Sequence, residues 1–308
     1  VITVGTRGSA LALIQAEEIA GALRARGATV DIVPLRTEGD RLAGAPLALV
    51  GGKGLFVREI EEALLASRID VAVHSLKDLP ADLPPGLCLA ALPRRADPRD
   101  VLITLGGGGL RDLPSGAVVG TSSPRRRALV LAARPDVRVE PLRGNVDTRL
   151  RKLESGACDA VILAAAGLAR LGVWPDGAHV LGVEDFIPAI GQGIIAVEAR
   201  ADDGPTLAAL RALDDPATRA CAEAERAVLG RLGASCNSPL AAHATVAAGG
   251  EILRVTGLVA SDDGTAVLRA SREGAVARAA ALGRELAERL LERGAAEVAP
   301  LHPVARAG

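Results

Sequence analysis

The first third of the chain alternates short apolar strand patterns with amphipathic helical ones, and this restricts it to a small set of α/β folds. Val1–Thr6 reads as a strand, Ser9–Arg26 as an amphipathic helix closed by Gly27, and Thr29–Arg36 as the next strand. A helical stretch, Leu55–Ser67, and a buried strand, Ile69–His74, follow. Strands separated by helices are too far apart along the chain to pair as hairpins. The spacing therefore predicts a mostly parallel sheet.

A second segment repeats this grammar. Val4-Gly5-Thr6-Arg7-Gly8-Ser9 leads into a helix, and so does Val119-Gly120-Thr121-Ser122-Ser123-Pro124, where Pro124 suits a first helical turn. Leu65–Val73 is echoed by Glu154–Ile162. Two similar α/β lobes follow from these echoes, joined near Pro93–Arg99 and again near Pro188–Gln192. Two crossings would make a hinge around a cleft, the usual ligand position in such folds. From about Ala217 the pattern changes to a helix reaching Leu232, a loop, strand-like segments Ala241–Ala247, Ile252–Ala260 and Thr265–Ser271, and a helix Ala275–Arg293. Asp262-Asp263-Gly264 is a hairpin turn. The expected architecture is thus residues 1–93 with 194–211 as lobe 1, 99–187 as lobe 2, and 216–308 as a small α+β domain with a three-stranded antiparallel sheet.

Composition excludes several classes. With 308 residues, 49 % of them apolar, the chain can build more than one core. Its net charge of −1 argues against general nucleic-acid binding, which wants a basic surface. No apolar run is long enough for a membrane span, and Val1-Ile2-Thr3-Val4 enters a strand pattern without a basic leader, so a soluble cytoplasmic protein is expected. The 4 cysteines are too scattered for a disulfide framework or a metal site. Cys88, Cys158 and Cys221 lie in apolar or helical patterns. Cys236 lies in the loop Gly233-Ala234-Ser235-Cys236-Asn237-Ser238-Pro239, where a thiol can react. Among 36 basic residues only Lys53, Lys77 and Lys152 are lysine, which marks them as positions needing a compact ammonium.

Strand-to-helix turns present backbone N–H groups and the positive end of a helix, and so attract anions. Arg7 and Ser9 lie in the first such turn, and Thr121, Ser122, Ser123, Arg125 and Arg126 in the second. The segment Leu142-Arg143-Gly144-Asn145-Val146-Asp147-Thr148-Arg149 forms a third. Guanidinium forks at several turns around one cleft imply a ligand with several carboxylates or phosphates. Asp78 follows a buried strand and precedes Leu79-Pro80, which places it at the strand's C-terminal mouth. Among arginines it stays ionised and suits stabilising a positive charge. His74 reads as a packed strand residue. Gly51-Gly52-Lys53-Gly54 lacks the spacing of a phosphate loop, and Glu38–Gly54 reads as a lid.

These segments carry a resemblance. Thr6-Arg7-Gly8-Ser9, Gly51-Gly52-Lys53-Gly54-Leu55-Phe56, His74-Ser75-Leu76-Lys77-Asp78-Leu79-Pro80, Gly120-Thr121-Ser122-Ser123, Leu142-Arg143-Gly144-Asn145 and Ile187-Pro188-Ala189-Ile190-Gly191-Gln192-Gly193 resemble, in order, the signatures of hydroxymethylbilane synthases, also called porphobilinogen deaminases. The Cys236 loop is similar to that family's cofactor-attachment loop, with Asn237 and Ala234-Ser235 departing from the usual residues. The resemblance implies two lobes like those of periplasmic binding proteins and a third domain carrying Cys236. It implies a dipyrromethane primer joined by a thioether to Cys236, and head-to-tail condensation of four porphobilinogens with loss of ammonia. Hydrolysis then frees the linear tetrapyrrole. Asp78 matches the aspartate that stabilises the cation formed when ammonia leaves. Arg7, Ser9, Lys53, Lys77, Thr121, Ser122, Ser123, Arg125, Arg126, Arg143, Gly144, Asn145, Arg149, Arg170 and Gln192 match residues that hold the primer, substrate and growing chain. Phe56 would pack against a pyrrole. With this composition, no metal, nucleic-acid or membrane partner is expected, and a monomer is the expected form.

Two other readings of the residues stay open. A non-catalytic anionic-solute-binding protein would use the same two-lobe architecture. A phosphate- or nucleotide-handling transferase would explain the anion turns, though the chain has neither a phosphate loop nor a metal-binding carboxylate cluster.

Overall fold

A computed structural model describes residues 1–36, 57–234, 238–302 and 304. Lys53, Phe56, Cys236 and the lid segment of the sequence reading lie outside these residues. The described chain divides into two compact units, one formed by Val1–Ala96 with Gly193–Arg219 and the other by Asp97–Gln192 with Ala220–Gly308.

The first unit holds β1 (Ile2–Arg7), α1 (Ala10–Arg24), β2 (Val30–Leu35), α2 (Arg58–Leu65), β3 (Val71–Ser75), β4 (Leu87–Ala91), β10 (Ile195–Arg200) and α6 (Gly204–Leu210). Its sheet runs β2-β1-β3-β10-β4. The first three strands are parallel, as the alternation predicts, but β10 is antiparallel to both β3 and β4, so the sheet is mixed. The strand returning at Gly193 enters the middle of the sheet from the opposite direction, which the strand–helix spacing of the first third could not reveal. Helix α1 covers one face, packing Ala16, Ile19, Ala20 and Leu23 on Val4, Val71 and Val73. Helix α2 covers the other, with Ile60 and Leu64 against Ala72. Each such buried Leu or Ile stabilises the unit by about 1.5–3 kcal/mol.

The second unit contains β5 (Asp100–Thr104), β6 (Val118–Gly120), α3 (Pro124–Ala133), β7 (Arg138–Glu140), α4 (Val146–Glu154), β8 (Ala160–Ala164), α5 (Ala165–Leu171) and β9 (Ala178–Val180) around a sheet ordered β7-β6-β8-β5-β9. This sheet is also mixed, because β5 runs antiparallel to β8 and β9. The sequence echoes mark matching structure. Asp70 and Asp159 sit just before β3 and β8, and their carboxylates accept from Thr3 N (2.9 Å) and Val118 N (2.7 Å), tying the strand start to its neighbour. The turns before them use a left-handed residue at matching places, Ser67 at φ 55° and Gly156 at φ 74°. Gly5 and Gly120 each lie under the matching side chain, Ile69 in one lobe and Cys158 in the other.

The same unit also contains α7 (Pro216–Leu232, its first residues in the other unit), β11 (Leu240–Val246), β12 (Ile252–Ala260), β13 (Val267–Ala275) and α8 (Ala279–Glu292). The sheet order β11-β12-β13 is antiparallel throughout, as the sequence predicts. Strand β13 runs four residues beyond the predicted end, and α8 starts correspondingly later. The predicted turn Asp262-Asp263-Gly264 joins β12 to β13, with Gly264 at φ +72° and pressed so close to α3 that a Cβ would lie 2.4 Å from Ala128 O. Among the described residues no helix is long and apolar enough to cross a membrane.

Candidate active site

In the first unit the predicted residues gather where β1 and β3 end. Ser9 is the N-cap of α1, its Oγ accepting from Ala12 N at 3.3 Å. Buried Thr6 ties this turn to the neighbouring strand, donating to Ala12 O and Val73 O. Past β3 the chain makes one 3-10 turn, Leu76–Asp78, that buries Leu76 as an anchor and leaves Asp78 exposed. Arg7, Ser9 and Asp78 line one pocket of 70 Å³ together with Gln15, His74 and Ser75. Gln15 and Ser75 are hydrogen-bonded to each other at 3.0 Å. The sequence reading missed both, and it treated His74 only as a packing residue. Lys77 is half-buried in the same turn.

In the second unit the residues at the second turn converge on a carboxylate that the sequence reading overlooked, Asp100 at the start of β5. Asp100 is fully buried and forms ion pairs with both Arg125 and Arg126 at 2.7 Å. Gln192 donates to the same carboxylate at 3.0 Å and to Pro98 O at 2.7 Å. The other guanidinium nitrogens reach carbonyls, Arg125 to Ile187 O and Arg126 to Ile162 O, each at 2.8 Å. Arg125 also lies over the Phe186 ring. Burial by itself would raise the Asp100 pKa, but the two guanidiniums and the Gln192 amide hold it down at about 2. Two guanidiniums on one ionised carboxylate leave this buried cluster with a net charge of +1, and Arg125 Nε is buried without a hydrogen bond. Such a cluster fits an anionic group. An acidic residue at the head of the apolar run Val101-Leu102-Ile103 was the one sequence sign of Asp100.

Around this cluster, Ser123 caps α3 by accepting from Arg126 N at 3.4 Å. Thr121 Oγ1 accepts from Ser123 N, and Ser122 Oγ donates to Leu142 O, which holds the second and third turns together. In the third turn Asn145 caps α4, accepting from Thr148 N at 2.9 Å, and Arg149 Nε donates to Gly144 O at 2.8 Å. Gly144 has φ +120°, a conformation a side chain would strain, and a Cβ there would meet Thr148. The Arg143 carbonyl accepts from Lys152, and Arg170 is half-buried in the last turn of α5. Arg143 precedes α4, Arg149 lies near its start, and Arg170 lies in the last turn of the neighbouring α5. The crossing segment is fixed from the C-terminal side by buried Glu225, which accepts from Gly191 N at 2.7 Å and Ala244 N at 2.8 Å.

Helix α7 ends at Leu232, immediately before the Cys236 loop. Gly233 closes it at φ +58°, so tightly placed that a Cβ would sit 1.6 Å from His302 O. Among the described residues no group of His, Cys, Asp or Glu could hold a metal ion.

Residues 2–208 match the family model "Porphobilinogen deaminase, dipyromethane cofactor binding domain", and residues 219–292 match "Porphobilinogen deaminase, C-terminal domain". The porphobilinogen deaminase of Syntrophobacter fumaroxidans is 50 % identical over 300 residues, covering 97 % of this chain and 96 % of that one. That of Roseiflexus castenholzii is 51 % identical over 295 residues, covering 95 % and 96 %. Among solved structures, a nutrient-binding protein from Burkholderia cenocepacia bound to methionine matches at a TM-score of 0.43 and 15 % identity, over 68 % of this chain and 90 % of that one.

Proposed function

The chain belongs to the porphobilinogen deaminase family, and we infer from this premise that it is a hydroxymethylbilane synthase whose own residues act as follows. Porphobilinogen is the substrate, and a cytoplasmic monomer is the form in which we propose the protein works. Residues 216–308 act as a third domain that carries the primer on Cys236, beside lobes formed by 1–93 with 194–211 and by 99–187.

The observation that carries this reading is the exposed carboxylate of Asp78 at the mouth of β3, in one pocket with Arg7 and Ser9. Loss of ammonia from an aminomethylpyrrole leaves positive charge on the methylene carbon and the ring nitrogen. A fixed carboxylate beside that position lowers the energy of the charged state. Arg7, with Ser9 and the N-terminus of α1, offers its charge to the acetate or propionate of the incoming ring. In the second unit Arg125 and Arg126 carry the excess positive charge that the carboxylates of a bound dipyrromethane require. Thr121, Ser122, Ser123, Arg143, Gly144, Asn145, Arg149, Arg170 and Gln192 complete the carboxylate contacts for primer and growing chain, and Lys53, Phe56 and Lys77 join those facing the substrate. When bound, the dipyrromethane supplies the free pyrrole α-carbon on which the chain grows.

Intact mass spectrometry tests the reading. The purified protein should exceed its sequence mass by two pyrrole units, Cys236→Ser should remove the excess, and porphobilinogen should add further rings stepwise. A reversible solute-binding protein would show the sequence mass alone. An unmodified protein that still makes tetrapyrrole would overturn the role of Cys236.

A further inference from the structure

Beneath the pocket of Asp78 the first unit buries three ionisable side chains that the reading above does not use. His74 on β3 is 6 % exposed, Glu198 on β10 is 0 % exposed, and Glu61 on α2 is 8 % exposed. The register pairs His74 with Ala196 and Glu198 with Ala72, which puts His74 and Glu198 on one face of the sheet. His74 Nε2 lies 3.3 Å from Glu198 Oε2. Neither that nitrogen, nor either Glu198 oxygen, nor Glu61 Oε1 makes a hydrogen bond. Buried polar atoms are normally hydrogen-bonded, and a group whose only task was packing would be better replaced by an apolar one. A strand centre that keeps an unsatisfied carboxylate beside a second one calls for a functional explanation.

We propose that His74, Glu198 and Glu61 form a buried proton relay that drains the pocket of Asp78. This rests on the condensation reaction proposed above. The two ends of the cluster open in different places. His74 lines the 70 Å³ pocket with Arg7, Ser9 and Asp78. Glu61 lines a second pocket of 370 Å³ bordered by exposed Arg58, Glu62 and Asp82. Between them lies Glu198, in contact with His74 and electrostatically coupled to Glu61. Burial, reinforced by Glu198, raises the Glu61 pKa to about 7, so that this end of the cluster takes up and releases a proton near neutrality.

The other charged groups facing the cluster are committed elsewhere or share its character. Glu59 and Glu62 are the other acids on α2, and on β4 the Cys88 thiol is pushed up by burial and by Glu198. Arg200 on β10 is bound to Asp70, Asp203 and the carbonyls of Leu64 and Ile69. Arg219 is bound to Asp214 and to Leu89 O.

Each condensation releases a proton that must go somewhere. The aminomethyl group reacts as its ammonium: the C–N bond breaks, nitrogen leaves with the bonding pair as neutral ammonia, and the positive charge stays on the methylene carbon and the pyrrole nitrogen. The methylene carbon then bonds to the α-carbon of the terminal ring, and that carbon gives up its proton. The His74 imidazole receives it, Glu198 passes it on, and Glu61 releases it to solvent, so that ammonia and one proton leave per ring added. An imidazole suits the inner position because it can accept on one nitrogen while donating from the other.

The test is the pH profile of kcat for the primer-loaded holoenzyme, between about pH 5.5 and 9. Intact mass confirms the primer in every variant. His74→Gln and Glu198→Gln should lower kcat by about 10²-fold or more with KM little changed, and imidazole added to His74→Ala should restore part of the rate. Glu61→Gln should remove the inflection near pH 7 from the kcat profile. Wild-type profiles in all the variants would overturn the relay, as would losses equal at every pH that imidazole does not rescue. A wild-type protein that forms no tetrapyrrole would instead overturn the proposed function, which keeps the two failures distinct.

Discussion

Asp78 and Asp100 are both aspartates next to a strand end among cations, and their surroundings give them opposite duties. Asp100 is fully buried with both oxygens engaged, so its charge is consumed in holding Arg125 and Arg126. Asp78 is exposed at a pocket, on a turn held by Leu76, so its charge remains available to a ligand. Substitution by asparagine, which keeps the shape and removes the charge, should separate the two. Asp78→Asn should fold normally, retain primer and lose about 10²–10³ in kcat, the usual effect of deleting one preorganised electrostatic contact. Asp100→Asn should lose about 3–5 kcal/mol of stability, because it leaves two guanidiniums buried without a counter-charge. Thermal melting and steady-state rates on the two variants check both outcomes. An Asp78 variant that melts early at full activity would make that residue structural.

Elements were legible where their signals are local. The turns holding Ser9, Ser123 and Asn145 were read from sequence, and the structure makes each of the three an N-cap whose oxygen accepts from the third residue on. The hairpin at Asp262-Asp263-Gly264 was visible for the same reason, whereas the echo of Leu65–Val73 in Glu154–Ile162 showed the likeness of the lobes but not the left-handed turns at Ser67 and Gly156. The direction of β10 was not legible, because it depends on where the chain re-enters the first sheet. Nor was Asp100, whose partners lie 26 and 92 residues away. Helix α7 joins both kinds of information. Its end is local, a left-handed Gly233 whose N–H donates to Gly230 O, but its fit depends on His302 far along the chain. Gly233→Ala should strain the backbone and displace the 302 segment, which puts it among substitutions costing about 1–3 kcal/mol. Because the Cys236 loop starts there, the fraction of protein carrying primer should also fall. Mass spectrometry and a melting curve on this variant measure the two effects, and full loading with wild-type stability would show that the helix end does not position the loop.

Over the whole molecule, the buried charges make the two units respond to pH in opposite directions. Asp100 in the second unit has its folded pKa depressed from 3.8 to about 2, against the effect of burial, by Arg125 and Arg126. Its contribution is present above about pH 4 and is lost as pH falls towards 2. Glu61 in the first unit has its folded pKa raised from 4.5 to about 7 by burial and by Glu198. Its folded form binds the proton more tightly than the unfolded chain does, so the unit is most stable below pH 4.5. That advantage is lost as pH rises through 7, by roughly 3 kcal/mol at about 1.4 kcal/mol per pKa unit. A neutral amide at this position should remove the alkaline loss and leave the acid loss of the second unit untouched. The melting temperatures of wild type and Glu61→Gln should therefore diverge as pH rises from 5 to 8, the variant gaining about 5–10 °C relative to wild type, while below pH 4 both should decline together. A difference in melting temperature that stays constant from pH 5 to 8 would mean that Glu61 does not change its protonation on unfolding.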